Sequence, residues 1–184
     1  MVINECRRIG YSGALWPVNP KRKDIAGITC FADIEALPDA PDASFLAVPK
    51  QAAIDITARL ARRGAGGVVC YTAGFSELGS TGQEAEAELV NVAGEMALLG
   101  PNCYGLINYH DQIALWPFAH GGAHPGFGAA IITQSGMLSS DLTMSQRHLP
   151  LSYMVSVGNQ ASLRLEDFID IFLEESHVRA IGLH

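Results

Sequence analysis

Residues 98 to 108 read LLGPNCYGLIN: two leucines, then Gly100, Pro101, Asn102 and Cys103, then a second apolar run at Leu106 and Ile107. Breakers placed straight after an apolar run mark a strand end with exposed backbone. In open α/β sheets, ligands bind at such ends. Three other stretches have the same form: PVNPK (17 to 21), VPKQA (48 to 52) and TAGFSE (72 to 77). Each puts Pro, Gly, Asn or Thr where N–H or C=O groups face a ligand. Lys21 and Lys50 add positive charge suited to phosphates. A helix starting after Val48 and Pro49 aims its first amides into the same crevice. Singly, each is an ordinary βα turn; four in series along one edge point to a nucleotide-like ligand. ITQSGML (132 to 138) is a fifth stretch, read either as a plain capped helix or as an anion site. Ser135 can cap the helix while Gly136 leaves its amides accessible. It is not a hydrolase GxSxG elbow, because Thr133 stands two residues before Ser135.

Other reactive side chains give less. His120 and His124 flank GGA, but the glycines and Pro125 prevent a stable helix, which argues against i,i+4 metal ligation. His110, His148 and His177 fall near loops or helix ends and are expected to be solvated. No Ser/His/Asp trio emerges from spacing, EAEAEL (84 to 89) reads as a solvated helix face, and no metal site is expected. The glycine-rich dinucleotide fingerprint GxGxxG is absent.

The elements that must position these turns alternate from end to end. VINECRRIGY reads as a helix with Ile3, Cys6 and Ile9 on one side, GALWPVNP as a short strand, and DIEALPDAP as a short helix. ASFLAVP is an apolar strand; KQAAIDITARLARRG is a helix with Ile54, Ala58 and Leu60 or Ala61 inward and Gly64 at its C-terminus. GGVVCYTAGF, ALLGPNCYG, AAIITQSG, LSYMVSVGN and VRAIGLH read as strands. Between them lie helices at GQEAEAELVNVAGEM, with its acids early, MLSSDLTMSQRHL and LRLEDFIDIFLEES. Solid apolar strands imply parallel sheets covered on both faces. WPFAHGGAHPGFG, residues 116 to 128, has no periodicity and reads as a boundary. The expected division is 1–118, a linker at 119–128, and 129–184. Both ends look cut, so the chain reads as an interior piece of something longer.

Bulk properties narrow the partners. With 184 residues, 48% hydrophobic and 17% charged, the chain can bury a real core. Its net charge of −7 and lack of a basic block beyond KRK (21 to 23) argue against nucleic acid. Cys6, Cys30, Cys70 and Cys103 form no CxxC pair, and no signal peptide or long apolar run is visible. Reduced thiols in a cytoplasmic protein, away from membranes, are expected.

Taken together, YSGALWPVNPK, LAVP, YTAGFSE, LLGPNCYGLIN, AIITQSGML and VSVGNQ resemble the nucleoside-diphosphate-forming acyl-CoA synthetases, relatives of the succinyl-CoA synthetase alpha subunit. The resemblance spans nearly the whole chain. It implies a Rossmann-like CoA-binding domain lacking its first strand, followed by part of a flavodoxin-like α/β domain. It implies that Lys21, Val48, Pro49, Thr72, Ala73, Gly74, Asn102 and Cys103 line the coenzyme A site. Ser135, Gly136 and Met137 would hold a phosphate or phosphohistidine, with Gly158 and Asn159 beside it. The family makes acyl-CoA from a carboxylic acid, CoA and ATP or GTP, through an acyl phosphate and a phosphohistidine, with Mg2+. The family's phosphorylated histidine falls beyond His184, so no histidine here is assigned as catalyst. The nucleotide-grasp unit would come from remaining domains or another subunit, and a homo-oligomer is compatible with the family. Tyr104 stands where the family often has Leu or Pro.

Two other readings remain open at this point. The same unit occurs fused to protein acetyltransferases, where it would sense acyl-CoA. An NAD(P)-binding Rossmann domain is the other, but Asn19 stands where its acidic ribose contact would be.

Overall fold

Helix α1 (Val2–Ile9) comes first in a computed structural model that describes residues 2–121, 125–145 and 149–184. Its inward side carries Glu5, Cys6 and Ile9. The strand expected at GALWPVNP is not there. Val18 makes one isolated parallel bridge to Phe31, and Pro17 and Pro20 have no N–H to extend it. A two-residue ribbon follows, β1 (Asp24–Ile25) and β2 (Ile28–Thr29). DIEALPDAP is likewise turns rather than a helix. Pro38 restricts Leu37 and leaves too few residues to nucleate a helix. Ile34 and Leu37 are still buried in the first core.

The next part follows the expected alternation. β3 (Ala43–Leu46), α2 (Lys50–Arg63), β4 (Gly67–Cys70), α3 (Ser80–Ala93) and β5 (Ala97–Leu99) form a three-stranded parallel sheet in the order β3-β4-β5 with its two helices. Gly64 ends α2 in a left-handed conformation at φ 82°, its N–H donating to the Ala61 and Leu60 carbonyls. The inward face of α2 is Ala53, Ile54, Thr57 and Leu60, so Ala58 is displaced to its edge. α3 begins four residues before Glu84, so its acids are not in the first turn.

The chain then departs from pure βα order. β6 (Gly105–Asn108) and β7 (Ile113–Leu115) are an antiparallel hairpin. Its turn has Gln112 at φ 58° and an Asp111 N–H donating to Asn108 Oδ1, without the Asn-Gly or Asp-Gly pair that signals hairpins. β8 (Gly128–Thr133), α4 (Gly136–Met144), β9 (Leu151–Ser156), α5 (Leu165–Glu174) and β10 (Val178–Leu183) follow. The second sheet has the order β10-β8-β9-β6-β7, parallel in its first three strands and antiparallel from β9 to β6 to β7. The hairpin thus joins a sheet built mostly from residues after 127. None of the helices of the described residues is long and apolar enough to cross a membrane.

Period-two alternation then layers the protein. On β4, Val68 and Cys70 face the α2/α3 core while Val69 faces the second sheet. On β5, Leu98 and Leu99 divide in the same way. Val69, Leu99 and Cys103 meet Ala130, Ile132, Val155 and Phe168 in the middle layer. Met154 and Ile107 face the far side, where Ile9 of α1 and Leu142 of α4 close the third core. Leu89→Ala, at a position with no exposure, should lower the unfolding free energy by about 2–5 kcal/mol. Ile171→Ala, on the exposed face of α5, should change it by less than about 0.5 kcal/mol. Urea denaturation of both variants checks the layering.

Candidate functional site

The strands β3, β4 and β5 are parallel, so their C-terminal ends lie along one edge. Three loops leave that edge together. Ala47, Val48 and Pro49 follow β3; Tyr71, Thr72 and Ala73 follow β4; Asn102, Cys103 and Tyr104 follow β5. They line one open cleft of about 470 Å3.

Two hydrogen bonds lace the loops side by side. The Thr72 hydroxyl donates to the Val48 carbonyl at 2.7 Å. The Asn102 N–H donates to the Thr72 carbonyl at 3.0 Å. The breakers in GPNCYG now have a physical reason. A Cβ at Gly100 would sit 2.7 Å from the Cys70 carbonyl oxygen and 2.9 Å from Cys103 Sγ, so only glycine lets the chain pass there. Asn102 takes a left-handed conformation at φ 56°, which its short polar side chain tolerates. Pro49 is the N-cap of α2 without a side-chain cap bond, so the first amides of that helix remain open at the cleft.

Six of the eight residues assigned to CoA from the resemblance are therefore together: Val48, Pro49, Thr72, Ala73, Asn102 and Cys103. Lys21 and Gly74 are not among the lining residues. Lys21 lies on an exposed turn held by Asn19, whose Oδ1 accepts the Lys21 and Arg22 N–H groups. Gly74 sits under Lys50, with the lysine Cδ 3.7 Å from where a Cβ would be. The Cys103 thiol is buried and donates to the Cys70 and Leu99 carbonyls. Burial pushes it far above the ordinary thiol range, so it is no nucleophile.

At the second sheet, Ser135 caps α4 by accepting the Leu138 N–H at 3.1 Å, and its own N–H donates to Thr133 Oγ1. Gly136 and Met137 form the first turn, and Met137 is highly exposed. Tyr104 connects the two places. It lines the cleft, its N–H donates to Ser156 Oγ at 3.0 Å, and its ring lies against Gly136. Gly158 and Asn159 turn the other way, toward the cleft rim. The Asn159 N–H donates to the Pro101 carbonyl and the Ala161 N–H to the Gly100 carbonyl. The two hydrogens of the Asn159 amide are shared among Glu77 at 2.7 Å, Glu86 at 2.8 Å and Ser76 Oγ at 3.1 Å, while its Oδ1 accepts from Asn102. Partial burial opposes ionisation of Glu77, but the bonds from Asn159 and the Gly74 N–H hold its carboxyl below the usual range. Sequence reading missed this clamp, because nothing local in TAGFSE announces a partner more than eighty residues away.

The histidines correct an expectation. His110 and His177 are not solvated: their rings stack at 3.8 Å, and His177 Nε2 lies 3.1 Å from the Tyr153 hydroxyl. The β6–β7 turn thereby meets the segment just before β10, and both residues are half-buried. His184 Nδ1 pairs with Thr133 Oγ1. His124 and His148 lie outside the described residues. His120 is buried edge-on to Tyr109, with Nε2 3.8 Å from Glu5 Oε2. Among the described residues, no three His, Cys, Asp or Glu converge as metal ligands.

A family model described as a CoA binding domain matches residues 1–109, and one described as a succinyl-CoA ligase like flavodoxin domain matches residues 127–184. A trans-feruloyl-CoA synthase from an unknown prokaryotic organism is 34% identical over 100% of this chain and 27% of its own length. The alpha subunit of an ADP-forming acetate–CoA ligase II of Pyrococcus furiosus is 29% identical over 98% of this chain and 42% of its own. Among solved structures, the apo acetyl-coenzyme A synthetase 1 of Ca. Korarchaeum cryptofilum superposes with a TM-score of 0.88 at 28% identity, covering 99% of this chain and 40% of that one. The chain thus spans well under half the length of each of these relatives.

Burial, then the nearby Arg8, pushes the His120 pKa down to about 4, so the native state holds it neutral. The unfolded chain takes up that proton near the ordinary value of 6.5. Its contribution is therefore complete above pH 6.5 and is lost as pH falls toward about 4. Urea unfolding at stepped pH should show this loss across that window, and His120→Phe should flatten it relative to the parent chain.

Proposed function

The chain belongs to the CoA-binding domain family, and on that premise we propose that it forms the CoA-binding part of an ADP-forming acid–CoA ligase. What carries the proposal is the laced cleft: three parallel strands end in loops tied by Thr72 to Val48 and by Asn102 to Thr72, within the matched residues. The uncharged walls suit the pantetheine arm, and open backbone amides at the start of α2 suit a phosphate. In this reading Val48, Pro49, Thr72, Ala73, Asn102 and Cys103 hold CoA. Lys21 and Gly74 act at the margin, Lys21 by charge. Cys103 contributes shape, since its thiol stays protonated.

Ser135, Gly136 and Met137 hold a phosphoryl group through the first amides of α4. Gly158 and Asn159 set the rim between the two places. The unit of 1–118 would bind CoA, 119–128 would connect, and 129–184 would begin the ligase domain. The complete protein would activate a carboxylic acid as an acyl phosphate. The CoA thiol sulfur then attacks the acyl carbon, the thiol proton is lost, and phosphate leaves. ATP or GTP with Mg2+ would bind on the nucleotide-grasp unit of remaining domains or a partner subunit. Such a reaction uses cytoplasmic substrates. Preorganised amides aimed at phosphoryl oxygens are the contribution this chain makes to it.

Calorimetric titration tests the reading. CoA should bind the chain and NAD should not; binding of NAD with no response to CoA would overturn it. Asn102→Ala removes a cleft side chain and its bond to Asn159, and should weaken CoA by roughly 3- to 10-fold.

A further inference from the structure

We infer that Glu77 is a positioning residue for CoA: its carboxylate holds the Ala73–Gly74 stretch of the cleft wall through the Gly74 N–H. This rests on the CoA reading above and adds to that site a residue outside its lining.

The loop after β4 is fixed at both ends. Thr72 is tied twice, by its hydroxyl to the Val48 carbonyl and by its carbonyl to the Asn102 N–H. Phe75 is fully buried in the first core and pins the far end. Ala73 and Gly74 span the gap between them, and Ala73 lines the cleft. Gly74 takes φ 106°, and a glycine has many other conformations open to it. Glu77 selects this one. Its Oε1 accepts the Gly74 N–H, and its Oε2 accepts from the Asn159 amide at 2.7 Å. The reach back over three residues is the one a capping-box glutamate uses.

The carboxylate is braced from behind. Asn159 is itself fixed by its N–H to the Pro101 carbonyl, and the short turn that carries Glu77 is closed by the Leu78 N–H on the Phe75 carbonyl. Desolvation opposes the charge on Glu77, but the bonds from Asn159 and Gly74 outweigh it, so the acceptor stays ionised at neutral pH. A ligand laid against Ala73 thus meets backbone already in place. Without the carboxylate, binding would have to order Ala73 and Gly74 as well, and affinity would fall by that entropy.

Calorimetry with CoA on the 184-residue chain, Glu77→Ala and Glu77→Gln tests this, alongside the Gly74 amide signal in 1H–15N spectra. Glu77→Ala should weaken CoA by roughly 5- to 10-fold. Glu77→Gln keeps an oxygen for the Gly74 N–H and should recover most of that loss. The Gly74 amide proton should stay deshielded in the glutamine variant, and in the alanine variant it should move upfield and exchange faster with deuterium. Titrations run without denaturant on variants shown to be folded by circular dichroism, so a change in global stability alone leaves the affinity unmoved. Should Glu77→Ala not fold, Glu77→Asp, a methylene too short for the Gly74 N–H, replaces it with the same expectation. If the shortened variant binds CoA as tightly as the parent, if Glu77→Gln recovers nothing, or if the Gly74 signal does not change, the positioning role falls while the CoA reading stands. If the parent chain does not bind CoA, both fall.

Discussion

Everything at the cleft depends on a sheet whose two faces are both buried. Along β4 and β5 successive side chains go to different cores, Val68 and Leu98 to the helices, Val69 and Leu99 to the second sheet. A shift of one residue in either strand would exchange the two sets and put each against the wrong partner. Register is therefore fixed from both sides, and the strand ends finish within one residue of one another. That register brings the Thr72 hydroxyl to the Val48 carbonyl, and the Asn102 N–H to that of Thr72. The cleft is a consequence of packing that lies several residues away from it.

That dependence explains what was legible in the residues. Apolar runs bounded by Pro, Gly and Asn announced the strands at ASFL, GVVC and ALL, and the loops after them, because those signals are local. The Ser135 cap was readable for the same reason. Proline decided two misreadings in the opposite sense: around Pro17, Pro20 and Pro38 the backbone lacks the donors or the room for regular structure, though the apolar spacing alone looked sufficient. The hairpin was hidden because its turn uses Gln112, not glycine, at positive φ. The burial of His177 and the bonds of Asn159 were hidden because their partners come from distant parts of the chain.

The electrostatics of the molecule are divided between its surface and this site. The chain carries a net charge of −7, yet the cleft presents hydroxyl, amide, backbone and ring surfaces. Glu77 and Glu86 come near its rim, and Asn159 engages both, which directs their lone pairs into the clamp. Both carboxylates keep their charge and further acceptor sites while Asn159 engages them.

The loop that carries Asn159 comes from the part of the chain that matches the ligase domain, but its backbone is zipped to Gly100 and Pro101 in the part associated with CoA binding. The modules visible in a linear comparison are therefore not separable objects in space. Recombination that exchanged one without the other would inherit an unfinished rim. A swapped partner would have to supply an asparagine at the matching place before the 74–77 loop regained its anchor. The two halves are joined by backbone hydrogen bonds, although two family descriptions are needed to cover them.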